Sequence, residues 1–292
     1  MTLMLDARQR ALLEHMGLRL DFLPPLAVDD ALEPVLLAVQ SEVAADAPSP
    51  RADRPAPTRA PMSPPASAVK PMEAKVAPMV LAERPNVTQA DWAQLQQAVS
   101  GCTACGLCKT RKQTVFGVGS PPAVGASGSG VDLMIVGEAP GEHEDLRGEP
   151  FVGAAGQLLD QMLAAVGLSR QVEGGQQGKV YIANVLKCRP PGNRNPQPEE
   201  VAQCLPYLQR QIELVQPKVL LAMGRFGAQA LLAPESGHSE GTPLGKLRGH
   251  IHRFGETPVV VTYHPAYLLR SPAEKAKVWA DLCWAQSLVA GA

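Results

Sequence analysis

Long hydrophobic runs are missing from this sequence of 292 residues. No segment approaches the roughly eighteen uncharged apolar residues that a membrane helix needs, so we expect no membrane span. The first twenty residues carry charges inside their apolar stretch, among them Asp6, Arg8 and Glu14, which is unlike an export signal. Neither sign of charge is in excess, with 27 Lys and Arg against 28 Asp and Glu. We therefore expect a cytoplasmic protein, and its total charge does not point to a polyanionic partner.

Cysteine is also scarce, and six cysteines are too few for a disulfide scaffold of this length. Three of them form a C-x2-C-x2-C motif at Cys102, Cys105 and Cys108, and Cys188 and Cys204 follow later. Thiolates at this spacing bind a metal ion or one corner of an iron–sulfur cluster, and two further thiols complete four-fold ligation. The spacing predicts a metal site without separating zinc from iron and sulfur. A plain buried thiol is the alternative for Cys204.

The N-terminal third of the chain differs in composition from the rest. Residues 48–85 contain ten prolines and no aromatic side chain, and such a segment cannot bury enough apolar surface to offset its conformational entropy. We predict a disordered linker over residues 26–85. Residues 1–25 are predicted to form a short amphipathic helix, because four apolar side chains share one helical face: Leu12, Leu13, Met16 and Leu20. This helix either docks a protein partner or packs weakly on its own protein.

Residues 86–292 have the pattern of an α/β domain. Apolar runs typical of buried parallel strands recur at 131–137, 179–187, 217–224 and 258–264. Helical periodicity separates them, and Thr88 with Asp91 predicts the start of a helix before the first strand. We predict a central four-stranded, mostly parallel sheet flanked by helices, which places functional groups at the carboxyl ends of the strands.

The first strand is followed by GEAPGEHEDLRGEPFVGAAGQLL at residues 137–159. This glycine-rich segment lacks the spacing of a nucleotide-binding fingerprint and contains five acidic residues, which would repel phosphate. It instead places carboxylates, beginning with Glu138, and the aromatic Phe151 at the mouth of a cleft. A carboxylate there can position water or stabilise a developing cation.

The second and fourth strands also end in polar side chains. Asn184 closes an otherwise apolar run and can either read a base edge or bond its own backbone at a turn. His264 precedes Pro265 and the apolar run Tyr267 to Leu269, which we expect to be exposed in a loop. Exposed apolar side chains of this kind can insert into a base stack. Basic residues cluster near these strand ends, at 187–194 and 246–253, which permits a phosphate-binding face.

These residues together resemble the family 4 uracil-DNA glycosylases, the iron–sulfur members of the uracil glycosylase superfamily. The ordered set of motifs is C-x2-C, GEAPGEHED, GEPFVG, NVLKCRPP, a second late cysteine and HPAYLL, and it runs from about residue 96 to residue 288. The resemblance implies a uracil-DNA glycosylase-like fold over residues 86–292 and hydrolysis of the N-glycosidic bond of uracil in DNA. An enzyme of this kind flips its base out of the duplex. We also expect a monomer that associates with the nucleoid.

The resemblance implies a role for each site residue. Glu138 and His264 would be catalytic, and Glu144, Phe151, Asn184 and His264 would bind uracil. Leu268, Leu269 and Arg270 would form the DNA wedge. A 4Fe-4S cluster with a structural role would be held by four thiolates: Cys102, Cys105, Cys188 and Cys204. The resemblance leaves open whether Cys108 is a ligand. No matching lysine suggests a Schiff base, so no lyase activity is expected.

Other functions compete with this interpretation. A non-catalytic zinc or cluster module that binds nucleic acid would explain the cysteines, but it leaves Glu138, Asn184 and His264 at three strand ends unexplained. A small-molecule hydrolase or transferase on the same sheet is disfavoured by the missing phosphate loop. A related covalent uracil-DNA binding protein would carry a histidine in the loop that here contains Cys188.

Overall fold

The computed structural model describes residues 85–119, 130–171, 178–232 and 242–291. The predicted helix of residues 1–25 and nearly all of the predicted linker of residues 26–85 lie outside the described residues. None of the described helices is long and apolar enough to cross a membrane.

Strands and helices alternate along the described chain. The strands are β1 (Val118–Gly119), β2 (Leu133–Gly137), β3 (Leu168–Ser169), β4 (Gly178–Asn184), β5 (Val219–Met223), β6 (Ile251–Phe254) and β7 (Thr257–Thr262). The α-helices are α1 (Trp92–Ser100), α2 (Glu142–Arg147), α3 (Ala154–Ala165), α4 (Pro198–Val215), α5 (Gly224–Leu231), α6 (Leu244–Leu247), α7 (Pro265–Arg270) and α8 (Lys275–Ala290). Short 3-10 turns lie at Gly106–Lys109, Pro191–Asn193 and Pro272–Glu274.

The described strands form a mixed sheet in the order β1-β4-β2-β5-β7-β6, and β3 pairs with β4. Strands β4, β2, β5 and β7 are parallel to one another, which confirms the four predicted strands. The sheet is larger than predicted, because β1 and β6 add antiparallel edges and β3 adds a short parallel one. These extra strands have two to four residues each, too few for a clear apolar alternation in the sequence.

The four parallel strands are in a register that brings their carboxyl ends to one edge. Gly137 at the end of β2 pairs with Asn184 at the end of β4, and Met223 of β5 pairs with Thr262 of β7. All five residues of β2 and all five of β5 are buried, as expected for parallel strands covered on both faces. The residues after these strands therefore converge on one side of a rigid sheet.

Two apolar clusters hold the helices in place. Leu208, Ile212 and Val215 of α4 join the main core on the sheet. Cys204 and Tyr207 of the same helix belong to a second cluster, which also contains residues of α1.

Helix α1 begins three residues later than the predicted cap. Asp91 accepts a hydrogen bond from the Gln94 amide at 2.8 Å, and the Gln94 side chain accepts one from the Asp91 amide at 3.0 Å. Thr88 instead bonds Asn86. The capping pair is thus Asp91 and Gln94 rather than Thr88 and Asp91, because either acidic or amide side chains serve these positions.

Candidate active site

A cavity of about 470 Å³ opens at the carboxyl edge of the parallel strands, and we call it the strand-end cavity. Six predicted site residues line it: Glu138, Glu144, Phe151, Asn184, His264 and Arg270. They come from loops after three different strands, and the strand register brings them together. The structure thus assembles side chains that are up to 132 positions apart in the chain; the roles assigned to them remain predictions.

The Asn184 side chain has its amide free for a ligand. The residue as a whole is only 2% exposed, its side chain lines the cavity, and the hydrogen bond found for it within the described part of the chain is made by its backbone carbonyl. Its backbone is held on both sides, because its carbonyl accepts from Lys187 Nζ at 2.7 Å and its strand pairs with Gly137. The structure disfavours the alternative in which Asn184 bonds its own turn.

Gly137 lies against the Asn184 amide from the neighbouring strand. A Cβ atom at this position would overlap Asn184 Oδ1 and would lie 2.8 Å from Cζ of Phe151. Only glycine leaves room for both side chains here. The close approach fixes the amide against one wall of the cavity.

The His264 ring is a neutral hydrogen-bond donor. It follows β7 and caps helix α7, where Nδ1 accepts from the Ala266 amide at 3.2 Å. This acceptor role assigns the ring proton to Nε2. Burial, reinforced by the positive charge of Arg270, lowers the pKa of His264 to about 4, so the imidazole is uncharged at neutral pH.

Phe151 and His264 form a stacked pair. Their ring centroids lie 5.3 Å apart with an interplanar angle of 27°. The Phe151 backbone has φ 55, a left-handed conformation that is uncommon for a bulky residue. The segment around Phe151 is therefore held in a specific shape by its surroundings.

Glu144 helps to fix the conformation of the segment around Phe151. Its carboxylate accepts from the amides of Gly141 at 3.1 Å, Val152 at 3.0 Å and Gly153 at 3.2 Å. The carboxylate is thereby fixed at the cavity wall and joins helix α2 to the segment after Phe151. Sequence reasoning assigned Glu144 to substrate discrimination and missed this structural bond network.

Glu138 lies directly after β2, and its backbone carbonyl accepts from the Leu186 amide at 3.0 Å. Burial raises the pKa of Glu138, and the nearby Arg225 opposes this shift. A carboxylate whose pKa is raised by burial is a better proton acceptor and interacts more strongly with a neighbouring cation.

The predicted wedge needs one correction. Leu268 is fully buried, so its assignment as an exposed wedge residue is wrong. The predicted loop is helix α7, whose inner face carries Pro265 and Leu268. Leu269 is 48% exposed and Arg270 is exposed at the cavity, so both stay predictions for DNA contact. Proline after a capping residue is a helix-start signal that could have shown this.

Four further residues that line the cavity are Tyr267, Arg194, Pro190 and Asn193. Tyr267, which is 37% exposed, belongs to the apolar run expected to be exposed, and Arg194 belongs to the basic cluster at 187–194. Pro190 and Asn193, in the turn after β4, were missed by sequence reasoning. Arg194 is paired with Glu200 by two hydrogen bonds of 2.9 and 2.6 Å. Nothing local in the sequence separates Pro190 and Asn193 from an ordinary surface turn.

The five clustered cysteines line a second, smaller cavity, which we call the thiol cavity: Cys102, Cys105, Cys108, Cys188 and Cys204. Arg111 Nη1 donates to Cys188 Sγ at 3.1 Å, and the Lys187 amide donates to Cys204 Sγ at 3.4 Å. Burial raises the pKa of Cys188 to about 11 and that of Cys204 to about 12.

The thiols as placed surround a space rather than a single point. Among the residues that the structure describes, no three His, Cys, Asp or Glu side chains form a group that could hold one metal ion. An all-cysteine donor set suits either a structural zinc ion or an iron–sulfur cluster. Cys108 lines the same cavity as the four predicted ligands, so the structure leaves its role open. Cys283 lies outside this set.

Comparison with known proteins agrees with this geometry. The model of the Uracil DNA glycosylase superfamily matches residues 124–284, which include every residue lining the strand-end cavity. The chain belongs to the uracil-DNA glycosylase superfamily. The match confirms the predicted family and the α/β fold. It begins after the C-x2-C-x2-C motif of this superfamily member.

Three relatives of this glycosylase-superfamily chain carry the name type-4 uracil-DNA glycosylase. The protein from Archaeoglobus fulgidus is 43% identical over 187 residues, 63% of this chain and 85% of the relative. The one from Pyrobaculum aerophilum is 41% identical over 66% of this chain and 91% of the relative. The one from Thermotoga maritima is 40% identical over 63% of this chain and 85% of the relative.

Proposed function

We propose that this chain is a monofunctional uracil-DNA glycosylase, which hydrolyses the bond between uracil and deoxyribose and leaves an abasic site for base excision repair. The observation that carries the proposal is that the Asn184 amide lines the same cavity as the neutral His264 ring. An amide that opens into a cavity can donate to and accept from the polar edge of a pyrimidine. The names of the relatives support the same reaction.

Recognition of uracil follows from the shape of the strand-end cavity. A base must leave the duplex to enter it. The Asn184 amide has both a donor and an acceptor, which match the polar edge of uracil, and Phe151 offers a ring for stacking. Glu144, fixed by three backbone amides, would exclude the 5-methyl group of thymine.

Bond cleavage needs stabilisation of two opposite charges. As the C1′–N1 bond breaks, its electron pair moves to uracil and negative charge collects on N1 and O2. The Nε2–H of His264 donates a hydrogen bond to O2, and its neutral state avoids transferring a proton too early. The Glu138 carboxylate stabilises the oxocarbenium-like sugar or orients the water that attacks C1′. The oxygen of that water becomes the sugar hydroxyl, and its released proton neutralises the departing uracil anion.

No lysine lines the described part of the strand-end cavity. A Schiff base with C1′ requires an amine at the reacting carbon. We therefore expect hydrolysis alone and no strand cleavage by lyase chemistry.

The surface of helix α7 is the proposed DNA contact. Leu269 projects from it with 48% exposure and would fill the gap left by the flipped nucleotide. Arg270 follows at the cavity rim and would hold a phosphate. Tyr267, also exposed, extends this apolar contact.

The proposed cofactor is a 4Fe-4S cluster held by Cys102, Cys105, Cys188 and Cys204. When bound, the cluster supplies a rigid cross-link between distant segments of the chain and takes no part in the hydrolysis. The donor set fits it, because these thiols line one cavity and a guanidinium already bonds one of the sulfurs. Cys188 lies four residues after Asn184, so ligation would also fix the loop that follows Asn184 and thereby the position of its side-chain amide.

The cellular setting is a further part of the proposal. We infer a cytoplasmic, nucleoid-associated monomer whose partner is uracil-containing DNA. Residues 1–25 would recruit a protein partner to the site of repair. Deletion of residues 1–85 should leave glycosylase activity intact in vitro, and loss of folding would contradict this assignment.

The test uses a labelled oligonucleotide with a single uracil, followed by alkali to cut abasic sites. We expect cleavage at uracil, none in a strand with thymine at that position, and iron with inorganic sulfide in the purified protein. A His264→Ala variant should bind the strand and leave it intact. A colourless wild-type protein that binds the strand without excising uracil would instead indicate a non-catalytic nucleic-acid-binding module.

A further inference from the structure

The left-handed backbone at Phe151 requires support from neighbouring residues. Its φ of 55 is rare for a side chain of this size, and such a conformation persists only where the surrounding structure holds it. Phe151 is also 7% exposed and stacks on His264. The groups that hold its backbone therefore decide where the ring lies in the strand-end cavity.

Arg170 makes hydrogen bonds that hold the backbone at Phe151. Its Nη1 donates to the Pro150 carbonyl at 2.8 Å and its Nη2 to the Phe151 carbonyl at 3.1 Å. Its Nε donates to Asp160 Oδ1 at 2.7 Å. The guanidinium is a planar fork, so two adjacent carbonyls and one carboxylate together fix its orientation.

The burial of Arg170 supports a specific role. Its side chain is only 11% exposed, while its partner Asp160 is 48% exposed. An exposed ion pair alone contributes little, whereas a nearly buried arginine that satisfies two carbonyls is hard to replace. On the other side of Phe151, Glu144 holds the amides of Val152 and Gly153, so the aromatic residue is held from both sides.

We propose that Arg170 is a positioning residue for uracil recognition: it fixes the backbone of Phe151 so that the ring lies over the base site next to His264. This inference rests on the proposed function for its effect on catalysis. Arg170 does not line the strand-end cavity and acts only through Phe151. Asp160 in turn orients the guanidinium.

The first test compares Arg170→Gln with the matched control Arg210→Gln in the full-length protein. Arg210 also bonds a backbone carbonyl, at 2.8 Å, and a carboxylate, but it contacts Ala90 and Glu213, away from the cavity. We expect Arg170→Gln to lower kcat/KM on a uracil-containing strand about tenfold, mostly through a higher KM, because stacking contributes to base binding. Arg170→Lys should recover part of the loss, and Arg210→Gln should match the wild type.

The second test asks whether Arg170 acts through Phe151. In a Phe151→Gly background, which has no ring and tolerates positive φ, Arg170→Gln should lower kcat/KM no further. An equal loss in both backgrounds, a change below twofold, or an equal loss in Arg210→Gln would overturn the proposal. Each rate is measured well below the melting temperature of the variant, so that unfolding does not enter the comparison.

A spectroscopic readout separates this inference from the proposed reaction. In NMR spectra of protein with ring-labelled histidine, assigned with His264→Gln, stacking on Phe151 shifts the His264 signals. Arg170→Gln should move these signals toward their positions in Phe151→Gly, and Arg210→Gln should leave them unchanged. If the wild type excises no uracil, the proposed function fails and the spectra still decide whether Arg170 positions Phe151; unmoved signals in Arg170→Gln would overturn that role.

Discussion

The strand-end cavity and the thiol cavity differ in how their polar atoms are used. In the first, the Asn184 and His264 side chains line open space, while the backbone carbonyl of each accepts a hydrogen bond, from Lys187 Nζ and from the Tyr267 amide. In the second, sulfur atoms accept hydrogen bonds from Arg111 and from the Lys187 amide. The Asn184 amide is thus left open to the cavity on a rigid backbone, whereas two of the sulfur atoms are bonded within the protein.

Two bridges join the cavities. Lys187 is fully buried and donates from Nζ to the Asn184 carbonyl at 2.7 Å and to Gln211 Oε1 at 2.6 Å. Asp145, on helix α2 next to Glu144, accepts from the Lys112 amide at 2.9 Å, which ties the thiol-bearing segment to the active-site helix. Substitutions in the thiol cavity should therefore lower both stability and excision activity. Substitutions of catalytic side chains in the strand-end cavity should lower activity with little change in stability.

The largest effect is expected for Cys188→Ser. Removing a buried proposed ligand should release the metal and lower the free energy of unfolding by more than about 4 kcal/mol. Iron and sulfide analysis with thermal unfolding measures both. Cys283→Ser is the control, since Cys283 lies outside the thiol cavity, and full iron content in Cys188→Ser would refute the ligand assignment. Iron content in Cys108→Ser decides whether this fifth thiol also binds.

A large but local effect is expected for His264→Ala. Loss of the Nε2–H donor should lower kcat about 10²- to 10³-fold, with little change in DNA affinity or iron content. Single-turnover rates and a binding titration measure the two quantities. Equal losses in turnover and affinity would count against an electrostatic role for this ring.

Helix α7 allows an internal comparison between two adjacent leucines. Leu268→Ala should lower the free energy of unfolding by about 2–5 kcal/mol, because it opens a cavity in the core. Leu269→Ala should change stability by less than about 0.5 kcal/mol and lower excision from duplex DNA more than from single strands. Chemical denaturation measures the stabilities, and excision rates on duplex and single-stranded DNA measure the activities. A stability loss in Leu269→Ala together with a duplex-specific loss of excision in Leu268→Ala would restore Leu268 to the wedge.

A smaller effect is expected for Gly137→Ala. The added methyl group would overlap the Asn184 amide and press on the Phe151 ring, so kcat/KM should fall about tenfold, or about 1.4 kcal/mol. Gly101→Ala is the control, since its Cβ would lie 3.6 Å from the Gln97 carbonyl oxygen and meet nothing closer. Equal kcat/KM values in the two variants would show that Gly137 does not position the amide.

The last comparison concerns the pH dependence of stability. The pKa of His264 lies near 4 in the folded protein and near its ordinary value of about 6.5 in the unfolded chain. The unfolded state therefore binds more protons between these values, and stability should fall as the pH drops from about 6.5 to 4. Denaturation of wild type and His264→Gln across this range measures the difference, and parallel curves would contradict a buried neutral ring.

Sequence patterns were sufficient for the main elements of the fold. The apolar runs at 131–137 and 217–224 became β2 and β5 within two residues at each end, because buried parallel strands are continuous apolar segments. The edge strands were missed, since β1 and β3 are two residues long and depend on their pairing with β4.

Some residues of the candidate site could be predicted from the sequence and others could not. Glu138, Asn184 and His264 lie at or within two residues of the carboxyl ends of parallel strands, so topology alone brings them to one edge. Leu268 was misassigned because the helix-start signal of His264 and Pro265 was not used, and because only the packing of helix α7 decides which side chain of the run turns inward. Arg170 was not found, because its partners are backbone carbonyls, which every residue has.

The order of the motifs and the period of the apolar residues determined the family, the parallel strands and the main site residues, because this information is local in the chain. Tertiary structure alone decided the protonation of His264, the free amide of Asn184, the burial of Leu268 and the hold of Arg170 on Phe151. Each of these depends on burial and on contacts between segments that are far apart in sequence, and these arise only when the strands pair and the helices pack on them.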